Sequence, residues 1–267
     1  MEEGTRGSSL PGFLPMLLFK RILALGKDDT PPDRRLGRRY CISPRFPLKA
    51  VIHVVGRDQF GHPLGTADGA GRDWTGRLIN ISSSGARLQV PPAICAQVGD
   101  PCSLKLDLEG HQLELPGRIA HLIERRDSNV YGLKLEAISP AVQENFAELI
   151  ELIAIGATFK PARATEPLDA HYLVEQYAGE PDARIDVWRH SSSRGVAAFE
   201  FRLGDFRVRG YEGHKQLEFL PATETANPAP LPPEHTAEIH RLFHWVVPNL
   251  PTSVPADVRA FMQVYAA

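Results

Sequence analysis

Trp74 to Val90 reads WTGRLINISSSGARLQV. Two runs of strand composition, Trp74 to Ser82 and Gly85 to Val90, meet at a serine cluster, Ser82 to Ser84. Asn80 and Ser82 are able to bond nearby backbone groups and Gly85 permits a positive φ, so the segment is expected to form a tight polar corner between two antiparallel strands. Such a corner exposes small polar groups and leaves room for a flat ligand to approach the backbone.

Working outward, CSLKLDLEGHQLELPGRIAHLIERRDSNVYGLKLEAI follows the corner. Leu104, Leu106 and Leu108, then Leu113 and Leu115, alternate with polar residues, and EG and DSN mark turns, which is the pattern of a half-buried antiparallel meander. The run from Ser139 to Gly156 places Val142, Phe146, Leu149, Ile150 and Ile153 at helical spacing, with Ser-Pro at its start and glycine at its end. Upstream, LKAVIHVV from Leu48 to Val55 is a β-branched strand, and DQFGHPLGTADGAGRD is a long glycine-rich loop. Six short strands and a closing helix predict a small β-barrel.

The whole chain has 267 residues, a formal net charge of -2 and 43 % hydrophobic residues, values of an ordinary globular protein of one large or two small domains. With no global basic field, any site for a nucleotide must be a local concentration of arginine, and a nucleic-acid polymer is not an expected partner. Three cysteines without metal-ligand spacing argue for a reducing compartment, and the cytoplasm is the expected location. The apolar stretch Leu10 to Leu25 is too short to span a bilayer and lacks signal-peptide flanks. It reads as a short helix packed on the protein or a partner, with membrane-surface contact through Phe13, Leu14 and Phe19 as the sharper alternative.

Asn80-x-Ser82-x-x-Gly85 between two strands, with an arginine-rich arm upstream, resembles the PilZ domain family over about residues 34–156. In that family an Arg-x-x-x-Arg arm and an (Asp/Asn)-x-Ser-x-x-Gly corner together bind cyclic di-GMP. The resemblance implies a ligand site of Arg38, Arg39, Arg45, Asn80, Ser82 and Gly85, with Arg34 and Arg35 as an alternative arm register. Forked guanidinium groups suit phosphate oxygens and guanine faces, while Asn or Ser suits a base or ribose edge. The arm departs from the family pattern, because the position four before Arg45 is Cys41. Either YCISP bulges so that Arg38 or Arg39 joins Arg45, or the arm is degenerate and the domain acts through protein contacts alone.

The expected organisation is a leader over 1–33, the barrel domain over 34–156, a linker over 157–170 and a second, smaller α+β domain over 171–267. In the last, a helix AHYLVEQYAG leads to strands ARIDVWRH, GVAAFEFRL, DFRVRGYE and KQLEFL, then a Pro-rich break and two helices, PEHTAEIHRLFHWVV and PADVRAFMQVYA. His190-x-Ser192-x-x-Gly195 echoes the corner but reads as a Ser/Gly hairpin. His235, His240 and His244 lack further ligands and read as amphipathic helix positions rather than a metal site. No nucleophile elbow or phosphate loop is present, so no catalytic residue and no cofactor are expected. The expected function is reception of cyclic di-GMP by the first domain and its relay to a protein partner by the second; a homodimer is compatible with this.

Overall fold

The computed structural model describes residues 37–55, 71–94, 96–164, 169–180, 182–222 and 231–266. The leader, Arg34, Arg35, the glycine-rich loop after Val55 and most of the Pro-rich break lie outside them. Among the described residues thirteen strands run in order: β1 (Tyr40–Cys41), β2 (Leu48–Val55), β3 (Gly71–Ser82), β4 (Gly85–Val90), β5 (Pro101–Leu108), β6 (His111–Glu124), β7 (Asn129–Leu135), β8 (Lys160–Ala162), β9 (Tyr172–Gly179), β10 (Ala183–His190), β11 (Val196–Leu203), β12 (Phe206–Tyr211) and β13 (Glu218–Pro221). Helix α1 (Pro140–Ala157) separates the two sheets, and α2 (Pro233–Val246), a 3-10 turn (Val247–Asn249) and α3 (Ala256–Gln263) end the chain.

The predicted barrel forms. Its strands follow the order β3-β2-β5-β6-β7-β4, and β3 pairs with β4 to close it, with β1 as an extra strand on β3. Leu104 and Leu106 oppose Leu115 and Leu113 across β5 and β6, all of them buried, as the leucine alternation requires. Glu109 (φ 50) and Gly110 (φ 95) make the hairpin between these strands in the left-handed region, matching strand twist. Helix α1 starts on Pro140, capped by the Ser139 hydroxyl accepting from the Val142 amide, and buries Phe146, Leu149, Ile150 and Ile153.

The second half is an open antiparallel sheet of order β13-β12-β11-β10-β9-β8. Two expectations change here. AHYLVEQYAG is not a helix but, from Tyr172 on, strand β9, which pairs with β10 from Gly179 opposite Ala183 to Tyr172 opposite His190. Tertiary pairing overrides a short apolar spacing that fits either period. The segment expected as a linker instead buries Thr158 and Phe159 and supplies edge strand β8, paired with β9. His190 to Gly195 is the hairpin between β10 and β11, closed by the His190 amide to the Gly195 carbonyl at 3.0 Å.

One face of this sheet packs on the terminal helices: Phe199 stacks on Phe243 with ring centroids 5.6 Å apart and meets Tyr265 edge-on. Buried side chains run without a break from the barrel through α1 into this second core. A further tie joins barrel to helix. Glu109, at the hairpin tip, accepts from Trp245 Nε1 at 2.9 Å and faces His244 Nε2 at 2.8 Å, while His244 Nδ1 bonds the Ala266 carbonyl. Among the described residues no helix is long and apolar enough to cross a membrane.

Candidate functional site

The corner between β3 and β4 is a two-residue turn in which Ser82 pairs with Gly85. The Ser82 hydroxyl, 2 % exposed, donates to the Gly85 carbonyl at 3.2 Å and so holds the turn shut. Gly85 does not adopt a positive φ, contrary to the sequence expectation. Glycine is required there for a different reason. A Cβ at position 85 would lie 2.7 Å from the Leu133 carbonyl of neighbouring β7, closer than real Cβ atoms approach backbone oxygen.

The arm reaches this corner by strand pairing. Tyr40 opposes Ile81 and Cys41 opposes Asn80, and the Ile42 amide bonds the Ile79 carbonyl at 2.9 Å. The pairing carries Arg39 to the turn, its Nη2 3.8 Å from where a Cβ on Gly85 would sit. Tyr40–Cys41 is therefore a docked strand rather than a bulge. Arg38 lies beside it, over the Tyr40 ring at 5.5 Å, with its Nη1 on Glu180 of the second half at 2.7 Å. That bond, working against partial burial, holds the Arg38 guanidinium above its ordinary pKa. Arg45 is not brought to the corner: it sits on the turn after β1 and donates to Gln263 Oε1 of α3 at 2.6 Å.

Two polar atoms beside the corner are buried without a hydrogen-bond partner, Asn80 Oδ1 and Arg87 Nε. Asn80 and Arg87 are cross-strand neighbours on the outer barrel face. A buried acceptor and a buried donor left open side by side each cost free energy, about 1–3 kcal/mol apiece, unless a ligand or water completes them. Register extends the face further: Arg87 opposes Gly132, Gly85 opposes Lys134, and Lys134 opposes Arg118. A Cβ at Gly132 would strike the His121 ring, so the glycine makes room for that ring to lie across β7 beside Arg87.

Arg87, Gly132 and Lys134 were not among the residues singled out from sequence. The signals were there: Arg87 has outward parity next to inward Leu88, and a glycine inside the strand VYGLKL marks close approach of a ligand or backbone. Together the arrangement offers guanidinium forks for phosphate and one unsatisfied amide oxygen for a base or ribose donor.

Residues 42–152 match the family model of the PilZ domain. Over that span the chain is similar to the PilZ domain. PilZ domains are a family of cyclic di-GMP receptors. The matched span contains Arg45, Asn80, Ser82 and Gly85 and begins just after Arg38 and Arg39. No curated protein matches the chain. Similar solved structures include the PilZ domain with c-di-GMP of YcgR from Escherichia coli, at 14 % identity and TM-score 0.32, covering 44 % of this chain and 89 % of that one. The PilZ domain of CeSA from a cellulose synthesizing bacterium is 16 % identical at TM-score 0.27, covering 43 % and 95 %. The Borreliella burgdorferi PlzA protein in complex with c-di-GMP is 12 % identical at TM-score 0.29, covering 84 % and 98 %.

Among the described residues no group of three or more His, Cys, Asp or Glu side chains is placed to hold a metal ion. Cys41 is exposed on the arm, whereas Cys102 is buried and its thiol is pushed up to about 12 by that burial.

Proposed function

We propose that this chain is a cytoplasmic cyclic di-GMP receptor without a catalytic step of its own, in which the PilZ domain passes the signal to a protein partner through the C-terminal sheet and helices. The observation that carries this reading is the pairing of β1 with β3. It sets Arg39 against the Gly85 corner beside the open Asn80 Oδ1, so cations and a base acceptor share one surface. Cys41 at the expected arginine position is then no obstacle, since its neighbour Arg39 supplies the cation.

Relay follows from what the arm already touches. Arg38 is held by Glu180 and Arg45 by Gln263, while the Ser43 amide donates to Asn249 Oδ1 at 2.8 Å. A nucleotide that takes either guanidinium for its phosphates removes a contact between arm and C-terminal half. Ligand and C-terminal half therefore compete for the same arginines, which is the differential affinity that any ligand-driven shift requires.

Isothermal titration of the purified chain with cyclic di-GMP tests the reading. Micromolar or tighter binding, lost in Arg39→Ala and Asn80→Ala with the fold intact, is the expected result. Absence of binding in a folded sample overturns it in favour of an adaptor acting by protein contacts alone.

A further inference from the structure

One row of directly opposed residues crosses the outer barrel face at the corner. Cys41 opposes Asn80, Asn80 opposes Arg87, Arg87 opposes Gly132, and Gly132 opposes His121. Directly opposed residues share a face, so these five form a line across β1, β3, β4, β7 and β6. Two of them hold their places through an extra residue. The register shifts between Leu78 and Asn80 on β3 and between Ile119 and His121 on β6. With uninterrupted pairing, Ile79 would oppose Arg87 and Ala120 would oppose Gly132. Each bulge therefore exchanges an apolar side chain for one able to bond a ligand, and bulges that re-aim side chains concentrate beside functional surfaces.

Gly132 is the gap in this line, and the His121 ring takes the volume that a side chain at position 132 would need. Directly opposed Cβ positions lie about 4.5–5.5 Å apart, so the ring stands one such step from the Arg87 side chain. His121 is exposed, whereas Arg87 is half-buried and its Nε, like Asn80 Oδ1, has no hydrogen-bond partner among the described residues. The charged side chains that share this face are mostly cations. Arg87 comes from β4, Lys134 from two residues along β7 and Arg118 from β6 itself, with Arg118 Nε tied to Glu136 at 2.8 Å. In the next row Arg77 is held by Gln89. Asp100, on the segment bonded to Ile119, accepts from the Gln97 amide at 2.7 Å, and Glu124 ends β6 with the opposite parity to His121.

We propose that His121 belongs to the receptor surface, where its imidazolium form sets a further cation beside Arg87 for a phosphate of the nucleotide and makes binding proton-dependent. The inference rests on the receptor reading above and adds its regulation by pH. Imidazole changes charge between about pH 5 and pH 8, whereas guanidinium and a phosphodiester keep theirs. A phosphate bound against the ring favours the charged form, so nucleotide and proton tighten each other's binding.

The test is calorimetric titration of the full chain with cyclic di-GMP across that pH range. Affinity is expected to rise about tenfold from about pH 8 to about pH 5.5, with proton uptake read on the native chain alone from the dependence of the enthalpy on buffer. His121→Gln keeps a donor without the charge, and it is expected to bind at every pH as the native chain does at the alkaline end. His121→Arg fixes the charge and is expected to bind tightly throughout, with no proton uptake. An affinity of the native chain that is flat with pH, or a pH dependence that survives in His121→Gln, overturns the inference and leaves the receptor reading standing; the ring then only fills the space over Gly132. Absence of binding by the folded native chain at every pH overturns the receptor reading and this inference with it.

Discussion

Asn249 ties Ser43 to the C-terminal half: its side-chain oxygen accepts from the Ser43 amide at 2.8 Å while its Nδ2 donates to the Ile153 carbonyl of α1 at 3.1 Å. The residue is 3 % exposed, and it packs so close to Gly156 that a Cβ there would lie 2.8 Å from its own Cβ. One amide thus joins the arm, the barrel helix and the 3-10 turn before α3.

Replacing Asn249 by Ala removes both bonds and leaves the half-buried Ser43 N–H without its acceptor. Loss of about 1–3 kcal/mol of unfolding free energy is expected, read by urea denaturation at constant m. Faster amide exchange at Ser43 and Ile42 than in β3 should accompany it. An unchanged midpoint would mean that water replaces the amide and that the arm is not anchored here.

Glu180→Gln addresses the competition for Arg38 directly. Both partners are substantially exposed, 40 % and 54 %, so the pair stabilises by only about 0.2–1 kcal/mol. Releasing it should tighten cyclic di-GMP binding by about 1.5- to 5-fold, with the gain shrinking as salt screens the native pair. Weaker binding in this variant would show that Glu180 orders Arg38 for the ligand instead of withholding it.

Gly85→Ala should disrupt the corner through sterics alone. The added Cβ meets the Leu133 carbonyl at 2.7 Å, a backbone atom of the closing strand that cannot swing aside. A destabilisation of about 1–3 kcal/mol is expected, together with loss of nucleotide binding. Thermal melts and calorimetry on the same sample separate the two effects. A melt within a degree of the native chain would show that β4 and β7 part without cost.

The barrel was legible in the sequence because its signals are local: leucine alternation in β5 and β6, the Glu109-Gly110 turn, the Ser139-Pro140 start of α1. Asn80, Ser82 and Gly85 were legible as a corner for the same reason. The need for glycine was misassigned because the atom that excludes a Cβ, the Leu133 carbonyl, belongs to a strand 48 residues away in sequence. Arg45 and Arg39 could not be told apart for a similar reason. Which of them meets the corner is decided by β1 pairing and by Gln263, a residue on the last helix. Strand β9 was misread because Leu173, Val174 and Tyr177 satisfy a helical spacing in isolation, and only β10 beside them settles the period.

The Glu109 tie should give stability a defined acid limb. Partial burial raises its pKa, but the bonds from Trp245 and His244 outweigh this and hold the carboxyl below its ordinary value. A carboxylate depressed on folding contributes fully above its unfolded pKa, about 4.3, and loses that contribution as pH falls through the lower folded value. The native chain should therefore exceed Glu109→Gln in stability at neutral pH, by less than about 1 kcal/mol given the exposure of the pair. The two stability curves should converge as pH drops below about 4. Glu109 also holds φ 50, which glutamine shares without relief, so backbone strain cancels in the comparison. A gap that persists unchanged at pH 3 would assign the effect to packing against Trp245 and not to the charge.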